Sequence, residues 1–335
     1  MSSFAERPSI MQTIVIASKG AVPRLCRYRF VVRTVLFTIL MFAWTESGIA
    51  QTQKLAANEP AGSDSQSAAA TAQAGTYSQA SAELAKQASN PLSSAWLIQI
   101  QQNNNWAGMP SNQGDRVDSD LLLQPLFNVK LTDQWTLLAR PILTLFNSAP
   151  YVAPSGLGER TTGFGDMVLA FALSPRPLLK GRLTIAAGPT FIFPTASDNL
   201  LGQQTWQAGP DVGIVVSGKH YLAFVFPQQW FKIGGDGAKT NQLSTIYDFT
   251  YFAKNGWSVG TEPNLVVDWQ APRDQRVTFP IGPQVGKMCK CGHTPTLFQL
   301  QLEYYPVHPT NNSPKWNVQL QITPTIPSPI KRKIF

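Results

Sequence analysis

From Trp96 onward the chain is written in runs of roughly ten residues in which apolar and polar side chains alternate, separated by turn residues. Successive side chains of a strand point to opposite faces, so each run has one face for an apolar medium and one for water. Near the end, Leu300, Leu302 and Tyr304 alternate with Gln299, Gln301 and Glu303, and Trp316, Val318, Leu320 and Ile322 with Asn317, Gln319 and Gln321. In 118–131, Leu121, Leu123, Phe127, Val129 and Leu131 oppose Asp118, Asp120, Gln124, Asn128 and Lys130. Carboxylates on the polar face of 257–269 require a wet interior. Twelve such runs are found, at 96–103, 118–131, 134–146, 163–173, 181–193, 205–217, 219–231, 243–252, 256–269, 275–286, 295–305 and 315–325. The pattern predicts an all-β chain, a transmembrane antiparallel β-barrel of about twelve strands.

Connection lengths follow the same logic. Short turns (Thr132-Asp133, Ser174 to Lys180, Ser217 to His220, Ala253 to Asn255, Lys287 to Thr294) alternate with mostly longer loops at 104–117, 147–162, 194–204, 232–242, 270–274 and 306–314. Tryptophans open or close strands, where an indole reaches the headgroup level. Two features cut against the pattern. Prolines 125, 141, 189, 210, 227 and 263 fall inside predicted strands, and each removes a ladder donor, so bulges must absorb them. In 219–231, Phe224 and Phe226 stand on the opposite parity from Tyr221 and Val225.

Ahead of the runs lie two other regions. Residues 1–50 combine a basic stretch (Arg24 to Arg33), an uncharged apolar run (Thr34 to Trp44) and Gly48-Ile49-Ala50, the layout of a signal peptide cut after Ala50. The apolar run has 11 residues, well short of the ~20 that span a bilayer. Residues 51–95 form a low-complexity periplasmic segment, rich in Ala, Gln, Ser and Thr, in which Ser81 to Ala88 predicts a short helix at the barrel mouth or inside it. The net charge of +8 falls to about +4 once the leader is set aside, which removes the argument for nucleic acid as a partner. The barrel is assigned to 96–325 and a basic tail to 326–335.

Several local motifs recur in a known order. They are Leu84 to Pro91, Gln102-Asn103-Asn104, Gln124-Pro125 and Trp135 to Pro141; Gly163-Phe164-Gly165-Asp166 with Leu173-Ser174-Pro175; Gly188-Pro189 with Phe193 to Ser197; Leu201-Gly202, Trp206 and Ala208-Gly209-Pro210; and Glu262, Asp268-Trp269, Tyr304-Tyr305 and Trp316. Over nearly all of residues 84–325 this order resembles the outer-membrane transporter-like family linked with the meta pathway of phenol degradation, often mislabelled "neuromedin U". The resemblance implies an outer-membrane channel or transporter of undefined substrate. The chain departs from it where Pro327 to Phe335 continues past the last strand, placing the terminal Phe335 after a basic run.

Catalytic chemistry has little to stand on. A hydrolase needs a nucleophile, a base and an orienting group on one face, but His220, His293 and His308 all fall in predicted turns. Cys289, Cys291 and His293 offer three ligands in one short loop without a fourth, a weak metal signal. Gly234 to Gly237 lacks the lysine of a phosphate loop, and Gly163 to Asp166 lacks a βαβ context. No cofactor, metal site or catalytic residue is therefore assigned. The candidate functional residues are charges of inward parity that would line a lumen: Arg140, Arg182, Asp211, Asp248, Glu262, Asp268 and Glu303. Asp166 shares the lipid-facing parity of Phe164 and Val168, which puts it near an interface or marks a slip of register. The expected role is passive or gated diffusion of a small solute across the outer membrane, with lipid and the barrel-assembly machinery as partners. The competing roles are a non-conducting structural or adhesion barrel, an outer-membrane hydrolase, and a soluble β-sandwich.

Overall fold

The computed structural model describes residues 79–108, 115–310, 313–330 and 333–334. The predicted leader, residues 51–78 and Phe335 lie outside them. A helix, α1, covers residues 79–89. The strands are β1 (Trp96–Gly108), β2 (Asp115–Lys130), β3 (Trp135–Val152), β4 (Gly158–Gly163), β5 (Met167–Pro175), β6 (Leu183–Phe193), β7 (Thr205–Ser217) and β8 (Tyr221–Gly235). They continue as β9 (Asn241–Phe252), β10 (Trp257–Thr261), β11 (Asn264–Asp268), β12 (Val277–Ile281), β13 (Gln284–Cys291), β14 (Thr294–Val307) and β15 (Pro314–Ile326).

Three pairs of these segments are single staves with a break: β4 and β5 both pair with β3, β10 and β11 both pair with β9, and β12 and β13 both pair with β14. That leaves twelve staves, all antiparallel. The first and last pair, Trp96 opposite Ile326 through Trp106 opposite Trp316, so the sheet closes and has no free edge. Several staves run beyond the predicted limits at the loop end. Residues 147–162, expected as a loop, are the extended end of β3 and the strand β4 that folds back on it. The turn expected at Lys287 to Thr294 shrinks to Gly292-His293, because Cys289 and Cys291 pair with Thr296 and Thr294.

Parity decides the two faces. On β14, Leu302 and Tyr304 are 47% and 43% exposed while Gln301 and Glu303 are 1% and 4% exposed, so the apolar face is the outside and the amide face the inside. Strand β8 breaks this rule, and α1 supplies the reason. Leu222, Phe224 and Phe226 point inward and pack with Val215, Phe252, Met288 and Leu297 around Ala85 and Ala88 of α1. Both faces of β8 are apolar there because one meets the outer medium and the other meets the helix. The helix thus sits inside the barrel at the end where the short turns lie.

The chain leaves α1 through a pinned linker. The N–H of Leu92 donates to the side chain of Asn90 at 2.9 Å. Asn128 of β2 donates to the carbonyls of Ser93 and Ala95 at 3.2 and 2.8 Å, and its own carbonyl accepts from the indole of Trp96. The C-terminal tail returns to the same end, where Lys333 pairs with Asp133 and the N–H of Ile334 donates to Lys130. The Lys333 ammonium holds the Asp133 carboxyl below the usual carboxylate range.

Two devices accommodate five of the strand prolines, and Pro263 falls in the break between β10 and β11. Pro125 and Pro141 face each other across the β2–β3 seam, where the ladder skips from Leu123–Leu143 to Phe127–Ala139, so two missing donors fall in one gap. Pro189, Pro210 and Pro283 stand opposite Phe171, Gln229 and Leu302, and a glycine precedes each of them. A Cβ built on Gly188, Gly209 or Gly282 would lie 1.8, 1.8 or 1.7 Å from the carbonyl oxygen of that opposing residue. The carbonyl that loses the proline N–H is instead met by the glycine Cα–H, an approach only glycine permits. Gly188→Val is therefore expected to part the β5–β6 seam. On gel electrophoresis of unheated samples, the faster-migrating folded band should disappear.

Candidate functional site

Inside the barrel, above α1, lies a cavity of about 410 Å³. Among the groups lining it are Gln99, Gln101, Arg140, Glu262, Glu303 and Gln319. Gln and Asn side chains are the commonest groups in its wall, and several of the amides are chained. Arg140 donates to Gln124 Oε1 at 2.7 Å, Gln124 donates to Gln101 Oε1 at 2.8 Å, and Gln101 donates to Gln319 Oε1 at 3.1 Å. From there Gln319 donates to Gln321 at 3.5 Å and Gln321 to Gln299 at 2.8 Å. The chain crosses β3, β2, β1, β15 and β14 with every amide oriented alike, starting from a guanidinium that can only donate. Aligned donors of this kind polarise one another.

The carboxylates are held by amides and hydroxyls rather than by ion pairs. Glu303 accepts from Gln301, Tyr305 and Asn317, each at 2.9 Å. Glu262 accepts from Gln284 at 3.2 Å and occupies the break between β10 and β11, next to Pro263. Asp248 accepts from Thr250 at 2.7 Å and is buried on the inner face of β9. Asp211, 1% exposed, borders a small void with Arg140, Pro91 and Leu92.

A second small void is lined by Ala88 to Pro91 together with Arg140 and Glu262. The end of α1 thus lies directly against the residues that floor the upper cavity. On its other side, at the short-turn end, is a vestibule of about 690 Å³ bordered by Glu83, Lys86, Lys130 and Arg176. Arg140, Glu262, Pro91 and Leu92 mark the waist between the two chambers.

Two of the predicted lining charges, Arg182 and Asp268, lie at stave ends rather than in the buried interior. Arg182 follows the tight turn at Leu179–Gly181, one residue before β6 begins, and is exposed, because the stave starts later than the sequence pattern places it. Asp268 ends β11 at the loop end, where its carboxylate accepts from the N–H of Gln270 at 2.9 Å and shapes the turn. Asp166 does not face lipid. It lies in the break between β4 and β5 and accepts from the N–H groups of Ala196 and Gln203 at 3.1 and 2.7 Å. Phe164 and Ser197 bond reciprocally beside it, so the Gly163 to Asp166 motif staples the loop 194–204 to the rim.

His220 and His293 lie in turns at the short-turn end, and His308 follows β14. Cys289 and Cys291 are free thiols on the outer face of β13, since Met288, of the opposite parity, faces α1. Among the described residues no three histidine, cysteine or carboxylate side chains cluster closely enough to hold a metal ion. In the sequence the glutamines show only as a polar face. Their signal was the repeated Gln-x-Gln spacing in β1, β14 and β15, which stacks amides on adjacent staves.

No protein-family model matches the chain, and no curated protein matches it. Among solved structures it is similar to an outer-membrane channel from Pseudomonas putida F1, with a TM-score of 0.53 and 18% identity over 69% of this chain and 95% of that one. A bacterial polysaccharide outer-membrane secretin (TM-score 0.32, 10% identity, 70% of this chain and 98% of that one) and a Pseudomonas aeruginosa FadL homologue (TM-score 0.36, 9% identity, 71% and 91%) also match, at likenesses too distant to bear on the fold. The chain shares its fold, a closed antiparallel β-barrel, with the Pseudomonas putida channel; here the barrel has twelve staves.

Proposed function

We propose that the protein is an outer-membrane channel that passes small hydrophilic solutes through a lumen closed at its short-turn end by α1, and that it belongs with the transporter-like family its motifs resemble. The observation that carries this reading is the polar cavity of about 410 Å³ inside a closed barrel whose outer face is apolar, continuous in position with a vestibule beyond a helix-blocked waist. Interior charges tune what a pore admits, and the cavity wall offers Arg140 against Glu262 and Glu303. This favours neutral, hydrogen-bonding or cationic solutes over anions. The outer-membrane reading places residues 1–50 as a cleaved leader and 51–78 in the periplasm.

The test is conductance of the purified protein in a planar bilayer. Small, discrete, flickering events support a helix-gated pore, whereas silence from protein shown to be inserted sinks the channel reading and leaves a structural barrel. Orientation has its own test. Cys291 is exposed at the short-turn end, so a membrane-impermeant maleimide should leave it unmodified in intact cells and label it once the outer membrane is permeabilised. A Ser155→Cys variant lacking Cys289 and Cys291 should label in intact cells. The reverse pattern would turn the barrel over.

A further inference from the structure

The small net charge hides a segregation. At the short-turn end every turn carries or adjoins an exposed cation: Lys130 before 131–134, Arg176, Lys180 and Arg182 in 176–182, Lys219 in 218–220, and Lys254 in 253–256. Lys290 precedes the fifth turn. Among the described residues the acids at this end are Asp133 and Glu83, and each is already paired, with Lys333 and Lys86. At the loop end the signs alternate instead, as in Glu159-Arg160 and Arg273-Asp274.

These cations sit beside exposed apolar groups on the outside of the barrel. Leu178 and Leu179, 45% and 70% exposed, adjoin Lys180; Tyr221 follows the Lys219 turn; Tyr251 precedes Lys254. The Lys287 ammonium lies 4.4 Å from the ring centroid of Trp257. Leu179 and Lys180 hold positive φ angles of 50° and 59°, a backbone region that L side chains rarely adopt, and both side chains are left exposed by it. A soluble acidic partner would meet the cations and leave their apolar neighbours in water. The boundary between hydrocarbon and headgroups meets both.

We propose that this ring binds the phosphodiester headgroups of acidic phospholipids in the leaflet at the short-turn end, fixing the depth of the barrel. The proposal rests on the membrane reading above, and the experiment separates the two. The protein and a Lys180→Gln/Arg182→Gln/Lys219→Gln/Lys254→Gln variant are reconstituted in phosphatidylcholine vesicles containing brominated phosphatidylglycerol or brominated phosphatidylcholine. Quenching of tryptophan fluorescence then gives the relative association of the two lipids with the barrel surface.

The wild-type protein should prefer phosphatidylglycerol several-fold at low salt, and the preference should fall toward one as salt shortens the screening length. In the variant it should be near one at all salt concentrations. Equal association of both lipids with the wild-type protein, or a preference insensitive to salt, overturns the ring. So does a preference that the folded variant retains. If the variant fails to fold, the salt dependence of the wild-type protein decides alone. Insertion is scored separately by flotation with the vesicles after carbonate extraction: protein that stays behind overturns the membrane reading, and protein that inserts without lipid preference overturns only the ring.

Discussion

Replacing Ala85 by Asp is expected to raise single-channel conductance several-fold while leaving the barrel folded. Ala85 has no exposed surface, and with Ala88 it is the face of α1 that meets Leu222, Phe252, Met288 and Leu297. A carboxylate there has no partner among those side chains, and burying an unpaired charge costs several kcal/mol. The barrel wall is tied by twelve ladders, but the helix is tied to it chiefly by this apolar contact and by the bond from Lys86 to the Gly218 carbonyl at 3.2 Å. Most helix stability in proteins comes from such packing rather than from propensity. The helix is therefore the element that yields. Because Asn128 pins the linker at Ser93 and Ala95, movement should pivot near Asn90-Pro91, directly beneath the waist.

The size of the effect follows from the barrel. Eight-stranded barrels are filled by their own side chains and sixteen-stranded ones leave a channel. Twelve staves lie between, so whether one helix occupies the lumen decides the conductance. With α1 displaced, the 410 Å³ cavity opens to the 690 Å³ vestibule past Arg140 and Glu262. The measurement is conductance in a planar bilayer, alongside the gel shift on heating that reports a folded barrel. An unchanged conductance in a folded variant would mean that α1 does not limit the path.

What the sequence revealed about this arrangement depends on which physical rule each residue obeys. The staves were legible because period-two alternation is a local signal, and the same parity set Arg140, Asp211, Asp248, Glu262 and Glu303 on the inner side. Phe224 and Phe226 were misfits because their partner, α1, lies far away in sequence; a strand with two apolar faces was the trace the plug left. Pro189 and Pro210 look like defects in the sequence until each is paired with the glycine before it, since the cost of a missing donor depends on what the neighbouring carbonyl meets instead. Arg182 and Asp268 were misplaced at stave ends, where alternation runs on into a turn without changing its spacing. Parity alone leaves Asp166 between an interface position and a slip of register, because its role is set by the loop 194–204 closing over it.

The amide chain is what makes the second large effect readable. Neutralising Glu262 and Glu303 together, as Gln, should change the sign of the reversal potential under a salt gradient, from cation-preferring to anion-preferring. The cavity wall then keeps Arg140 as its charged group. A unit charge 4 Å from a permeating ion is worth about 1 kcal/mol even at the dielectric of water, roughly a fivefold change in local occupancy for each carboxylate removed. Glutamine is the closest neutral replacement: at 262 its carbonyl oxygen still accepts from Gln284, and at 303 it still accepts from Tyr305 and Asn317, which share one oxygen of Glu303, while the bond from Gln301 to the other oxygen is lost. Arg140→Gln should act in the opposite sense, strengthening cation preference, and should also loosen the amide chain by removing the donor that orients Gln124. Opposite shifts from the two kinds of variant place all three side chains in the path of the ions. A reversal potential that moves in neither would mean that ions cross the waist elsewhere, and that the amide chain serves to hold five staves in register rather than to select what passes.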